Sequence, residues 1–124
     1  MVLHAIADGL LGAAALGDLG RLFPADARTP RGIDSAAMLG EVVGRLAVAG
    51  WCPASVDLTI VAARPRLAAV LEPMQARIAT ILGLPIAAVG VKASTGNLDG
   101  AGGAGRAISA SALVTIGPMP DRQP

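Results

Sequence analysis

The sequence predicts an α+β fold, a small β-sheet with helices packed on one face. Apolar residues recur at helical spacing in some stretches and alternate with polar residues in others, in the order helix, helix, strand, helix, strand, strand. Hydrophobic residues make up 53% of the chain but aromatics only 2%. The core is therefore built from Ala, Val, Leu and Ile, which pack finely but bury little area per residue.

From Val2 to Leu16 the residues Leu3, Ile6, Leu10, Ala13 and Ala14 fall at helical spacing in an alanine-rich context, and Gly17 is the expected stop. The segment from Phe23 to Gly32, with Pro24 and Pro30, reads as a loop. Asp34 or Ser35 is a suitable N-cap for a second helix striped by Leu39, Val42, Val43, Leu46 and Ala49, with Gly50 at its C-terminal cap. Val56 to Ala62 sets Val56, Leu58 and Ile60 against Asp57 and Thr59, as a half-buried strand does.

Pro73 is expected in the first turn of a third helix, where its missing N–H costs nothing; Met74, Ile78, Ile81 and Leu82 then share a face and Gly83 ends it. Val89 to Ser94 is a second strand. In the third, Ile108, Ala110, Ala112, Val114 and Ile116 alternate with Ser109, Ser111 and Thr115, giving one polar face suited to a subunit interface. The domain is expected over residues 1–117, with 118–124 a disordered tail.

At 124 residues the chain is one domain, near the size where burial per residue limits stability, so partner subunits would help. A net charge of +1 without a basic run leaves no footprint for a nucleic-acid backbone. The lone Cys52 excludes an intramolecular disulfide and a cysteine-based zinc cluster, which points to a reducing cytoplasm. The apolar run from Ala5 to Leu16 carries Asp8 and is short of the roughly 20 residues a membrane span needs, so no membrane partner is expected.

His4 and Asp8 are four residues apart and share a helix face. One reading makes His4 a metal ligand oriented or charge-balanced by Asp8; the other makes it a solvated terminal side chain. Asp18 follows the first helix, where the helix dipole disfavours a negative charge. It either shapes a Gly-Asp-Leu-Gly turn or holds a hydroxylated ligand. Arg64 and Arg66, flanking Pro65 at a strand end, suit either a phosphate contact or a solvated basic turn.

Gly100 to Gly105 formally matches the dinucleotide-binding glycine pattern, but a strand follows where that motif needs a helix, so that reading is rejected. A flexible connection or an anion-binding nest remains. Ser94 and Thr95 offer hydroxyls beside it. No serine lies in a nucleophile elbow.

The stretch LHAIADGLLGAAALGDLGRLFP at 3–24, the Asp34-Ser35 helix start, VDLTIVAARPRL at 56–67 and VKAST at 91–95 leading into a glycine-rich loop closely resemble 2-C-methyl-D-erythritol 2,4-cyclodiphosphate synthases, in the same order. The resemblance runs from Leu3 to about Ile116. It implies a homotrimer with sites between subunits, each holding zinc and a magnesium or manganese ion. The implied reaction converts 4-diphosphocytidyl-2-C-methyl-D-erythritol 2-phosphate to the cyclic diphosphate with release of CMP, in non-mevalonate isoprenoid synthesis. Positioning and charge neutralisation dominate such phosphoryl transfers, consistent with the lack of a protein nucleophile.

Carried over by position, the resemblance makes His4 a zinc ligand. Asp18, Leu19 and Gly20 would hold the methylerythritol, flanked by Phe23, Pro24, Ala25, Asp26 and Ala27. Ala62, Ala63, Arg64, Pro65, Arg66, Leu67 and Ala68 would wrap the cytidine. Ser94, Thr95, Gly96 and Asn97 would meet the phosphates, with Thr95 at the transition-state-stabilising position.

The sequence also departs from the family. Only Met1 and Val2 stand where the family has a strand with an Asp-x-His motif and a His-Ser-Asp-Gly-Asp loop. Asn97 occupies an acidic metal-binding position, Ala101 an aromatic one and Ala104 that of a phosphate-binding arginine, for which Arg106 is a partial substitute. A catalytic zinc needs three protein ligands, so His4 alone would bind it weakly. A start misassigned at a valine codon, a decayed paralogue that keeps the trimer scaffold, or the tail of a larger bifunctional polypeptide would each account for this pattern. The competing expectation is a trimeric binding protein that keeps a nucleotide-sized cleft without turnover.

Overall fold

The computed structural model describes residues 2–24, 34–62, 68–94 and 108–120. In chain order the elements are α1 (Val2–Ala13), α2 (Leu19–Leu22), α3 (Ser35–Val48), β1 (Trp51–Ala62), α4 (Ala68–Leu82), a 3-10 turn (Ile86–Ala88), β2 (Val89–Ser94) and β3 (Ile108–Pro118). The sheet has the order β2-β1-β3, with β1 parallel to β2 and antiparallel to β3. Helices α1, α3 and α4 cover one face, as expected of the α+β arrangement.

Alternation along the strands makes this layering possible. Val56, Leu58 and Ile60 of β1 point into a core shared with Ile6, Leu10 and Leu11 of α1, Leu39, Val42 and Leu46 of α3, and Ile78 and Leu82 of α4. Gly9 lets α1 lie close on β3, since a Cβ there would come within 3.3 Å of both Val114 methyls. Gln75 of α4 donates to the carbonyls of Ile86 and Val89, fastening the start of β2 to the helix layer.

Four boundaries differ from the sequence reading, each for a local reason. Helix α1 stops at Ala13, before the expected Gly17, because Ala15 takes the left-handed conformation at φ 57°. Leu16 N–H then bonds the Leu11 carbonyl and Ala15 N–H the Gly12 carbonyl, a Schellman closure built on alanine. Pro73 lies inside α4, a turn later than expected, because the helix already begins at Ala68 and packs Leu71 against the core.

Strand β1 begins at Trp51, five residues before Val56. It passes Pro53 through a shift in register between Pro53 and Ser55 against β3, and such an irregularity tolerates a residue without an N–H. At the other end of the chain, Pro118 belongs to β3 and Met119 N–H donates to the Gly50 carbonyl. The expected tail therefore starts inside the sheet; 121–124 lie outside the described residues.

Candidate active site

The described site residues fall into three groups. The first is at the start of α1, where the exposed His4 ring places Nε2 3.4 Å from Ser35 Oγ, joining the N-terminal ends of α1 and α3. In the sequence Ser35 stands out only as a candidate cap. The structure gives the capping position to Asp34, whose side chain makes no cap hydrogen bond, and leaves the Ser35 hydroxyl at the imidazole. No local pattern signals a contact between residues 31 positions apart.

The second group is the turn after α1. Asp18, in an extended conformation, caps α2: its Oδ1 accepts Arg21 N–H at 2.9 Å and its Oδ2 lies 3.7 Å from Arg21 Nε. Asp8 Oδ1 accepts Leu19 N–H at 2.9 Å. Two of the donors a helix start leaves without intrahelical partners are thus met by carboxylates from two different elements. The unfavourable end of α1 does not govern Asp18, because a new helix starts there and favours negative charge at its N-terminus. Gly20 carries no side chain beside this carboxylate, from which a Cβ would be 3.5 Å away. Phe23 and Pro24 follow half-buried, and Phe23 packs against the core.

This arrangement corrects the pairing expected on α1. Asp8 is occupied by the Leu19 amide, not by the imidazole four residues earlier. Among the described residues no three His, Cys, Asp or Glu side chains stand close enough to hold a metal ion. His4 offers one ligand and Ser35 a hydroxyl, so the residues present do not by themselves fit the three-ligand set of a catalytic zinc.

The third group is at one end of the sheet. Val61 pairs with Ser94 across the parallel β1 and β2, and Ala62 pairs with Ile108 across the antiparallel β1 and β3. The carboxyl ends of the two parallel strands thus lie side by side, the usual location for ligand-binding loops in such sheets. Residues 63–67 follow Ala62 and 95–107 follow Ser94, so the two segments for which the resemblance implies cytidine and phosphate contacts start from neighbouring strand ends. Ala63, Arg64, Pro65, Arg66, Leu67, Thr95, Gly96 and Asn97, with Ala25, Asp26 and Ala27, lie outside the described residues; Ala68 opens α4.

A separate groove of about 590 Å³ lies among Leu11, Leu16, Leu22, Glu41, Arg45 and Val48, and none of the expected site residues lines it. No described helix is long and apolar enough to cross a membrane.

The model of the YgbB family matches residues 1–117. The 2-C-methyl-D-erythritol 2,4-cyclodiphosphate synthase of Chromobacterium violaceum is 50% identical over 115 residues, spanning 93% of this chain and 73% of that protein. The synthase of Methylococcus capsulatus is 46% identical over 116 residues, spanning 94% and 73%. Among solved structures, the bifunctional IspDF of Campylobacter jejuni matches with a TM-score of 0.87 at 27% identity, over 94% of this chain and 32% of that one. The CDP complex of Plasmodium falciparum IspF matches with a TM-score of 0.81 at 26% identity, over 94% and 70%.

Proposed function

The chain belongs to the YgbB family, and from that premise we propose that it is a phosphorus-oxygen lyase, a 2-C-methyl-D-erythritol 2,4-cyclodiphosphate synthase of non-mevalonate isoprenoid synthesis. The observation that carries the reading is 50% identity to the Chromobacterium violaceum synthase across 93% of this chain. The CDP complex of the Plasmodium falciparum relative supports a cytidine-diphosphate-linked substrate.

In the proposed reaction an oxygen of the 2-phosphate attacks the distal phosphorus of the diphosphate. The bond from that phosphorus to the bridging oxygen breaks, and CMP leaves with that oxygen. The substrate supplies both nucleophile and leaving group, so the protein's task is to hold the two phosphates in line and stabilise their charge. The polyol is assigned to Asp18, Leu19 and Gly20 with Phe23, Pro24, Ala25, Asp26 and Ala27. The cytidine is assigned to Ala62 through Ala68, and the phosphates to Ser94, Thr95, Gly96 and Asn97, with Thr95 catalytic. The resemblance also implies zinc, with His4 as one ligand, and magnesium or manganese with the diphosphate. Because the described residues do not complete a zinc set, no step is assigned to either ion.

A homotrimer is part of the proposal. Ser55, Asp57, Thr59, Ser111, Leu113 and Thr115 lie on the sheet face opposite the helices, and Leu113 there is 76% exposed. Leu113 lies on the edge strand of that uncovered face, beside the Asp57–Lys92 ion pair of the two neighbouring strands, and copies of the chain are the partner the resemblance implies for it. A cytoplasmic location accords with the lone cysteine and with the pathway.

Incubation of purified chain with the cytidyl substrate, zinc and magnesium, followed by chromatography for CMP, tests the activity. CMP is expected, and its absence at full metal loading counts against turnover. A second reading, a trimer that binds the cytidine nucleotide without turnover, is favoured by Asn97, Ala101 and Ala104 at family functional positions and by the single histidine. It predicts a rise in melting temperature with CDP in a preparation that releases no CMP.

A further inference from the structure

We propose that Asp8 is a positioning residue for the polyol-binding turn, holding Asp18, Leu19 and Gly20 in place through the Leu19 amide. The inference rests on the proposed function and adds to it the residue that fixes the polyol site in space.

The geometry begins with α1. Ile6, Ala7, Leu10 and Leu11 are each no more than 1% exposed, so the helix is anchored to the core on both sides of Asp8. Asp8 itself faces outward, toward the returning chain. Between the end of α1 and Leu19, the chain passes Ala15 at φ 57° and Gly17 at φ 99°. The closing hydrogen bonds of Ala15 and Leu16 tie the chain to α1 only as far as Leu16, and the permissive Gly17 follows them.

The Asp18 cap does not extend that tie. Asp18 and Arg21 belong to the same short segment, so their hydrogen bond and ion pair shape the turn without placing it relative to the rest of the molecule. The Asp8 to Leu19 hydrogen bond does place it at the backbone, reaching 11 residues from a core-anchored helix to fix the Leu19 amide, while the side chains of Leu19, Leu22 and Phe23 pack against the core. Charge-assisted bonds from a carboxylate to a backbone N–H are among the stronger hydrogen bonds.

This division of labour leaves Asp18 available. Oδ1 is used by the Arg21 amide, but the side chain remains 54% exposed and Gly20 adds no bulk over it. A carboxylate in that state can accept hydrogen bonds from the hydroxyls of a polyol. If the turn moved relative to α1, the polyol hydroxyls and the phosphates bound elsewhere would lose their common geometry, and displacement by about an ångström suffices to cost much of the benefit of positioning.

The experiment uses the full chain with Asp8→Ala and Asp8→Asn, titrated separately by calorimetry with 2-C-methyl-D-erythritol 2,4-cyclodiphosphate and with CMP. Asn keeps a carbonyl acceptor for the Leu19 amide, whereas Ala removes it. In Asp8→Ala, affinity for the cyclic diphosphate is expected to fall about tenfold or more while CMP affinity stays within about twofold; Asp8→Asn is expected to restore most of the loss. Hydrogen exchange at the Leu19 amide should quicken in Asp8→Ala and return toward the parent rate in Asp8→Asn.

Equal losses for both ligands, or an unchanged cyclic-diphosphate affinity in Asp8→Ala, overturn the positioning role. So does an unaltered Leu19 exchange rate. A parent chain that binds CMP but not the cyclic diphosphate also overturns it, whereas a parent that binds neither ligand overturns the proposed function itself.

Discussion

The carboxylate of Asp8 accepts the backbone N–H of Leu19 at 2.9 Å and so joins the middle of α1 to the first residue of α2. Asp18, one residue earlier, accepts the Arg21 amide at the same distance. The two acidic residues that stand out on the apolar first helix and just beyond it therefore both shape one short turn, and Asp18 keeps an exposed carboxylate there.

Asp18→Ala is expected to lower stability by about 1 kcal/mol through loss of the cap. Asp18→Asn keeps an acceptor for Arg21 N–H and should stay within about 0.5 kcal/mol of the parent, because the ion pair it gives up is exposed and worth little. Urea unfolding of both variants checks the ordering; equal losses would mean that the charge, and not the cap, matters.

Helices α1 and α4 close with the same hydrogen-bond pattern, but Ala15 occupies the left-handed position in one and Gly83, at φ 69°, in the other. A Cβ in that conformation costs about 1 kcal/mol. Ala15→Gly is expected to stabilise the chain by about 0.5–1 kcal/mol, somewhat offset by greater freedom in the unfolded state, and Gly83→Ala to destabilise it by about 1 kcal/mol. Thermal unfolding should show shifts of opposite sign.

Leu58 is buried on the helix side of β1, and Leu113 of β3 is exposed on the other side. Leu58→Ala should cost about 2–5 kcal/mol of folding stability. Leu113→Ala should leave the fold of the single chain within about 0.5 kcal/mol, as surface changes usually do.

Assembly separates the same two positions. Leu113→Arg places a cation opposite Asp57, which already pairs with Lys92 Nζ at 2.6 Å; a single chain tolerates it at an exposed position, but a shared face repeats it at each copy. Sedimentation velocity is expected to give a trimer for the parent and a monomer for Leu113→Arg. A monomeric parent, or a variant that remains trimeric, removes the open sheet face from the interface.

The alternating strands and apolar stripes were legible because burial on one face imposes them: Val56, Leu58 and Ile60 announce β1, and Leu39, Val42 and Leu46 announce α3. Local chemistry without such periodicity was not. The four residues of α2 are too few for a stripe, and Pro53 masks the first turn of strand that its register shift accommodates. Ala15 gives no sign in the sequence that it replaces the expected glycine stop, because its conformation is imposed by the closing hydrogen bonds.

The site was legible in part. The motifs at 3–24, 56–67 and 91–95 single out Asp18, Ala62 and Ser94 as candidates, but helical spacing pairs Asp8 with His4, whereas the structure gives Asp8 to Leu19 and His4 to Ser35. Spacing along a helix shows which side chains share a face. It does not show which distant backbone amide or hydroxyl will meet them once the chain has turned back.

The most direct test is phosphorus NMR of the cytidyl substrate incubated with the purified chain in zinc and magnesium. Resonances of a cyclic diphosphate appearing in equal amount with CMP are the predicted result. An unchanged substrate spectrum, or CMP formed together with the uncyclised 2,4-bisphosphate in place of the ring, would contradict assignment as a cyclodiphosphate synthase.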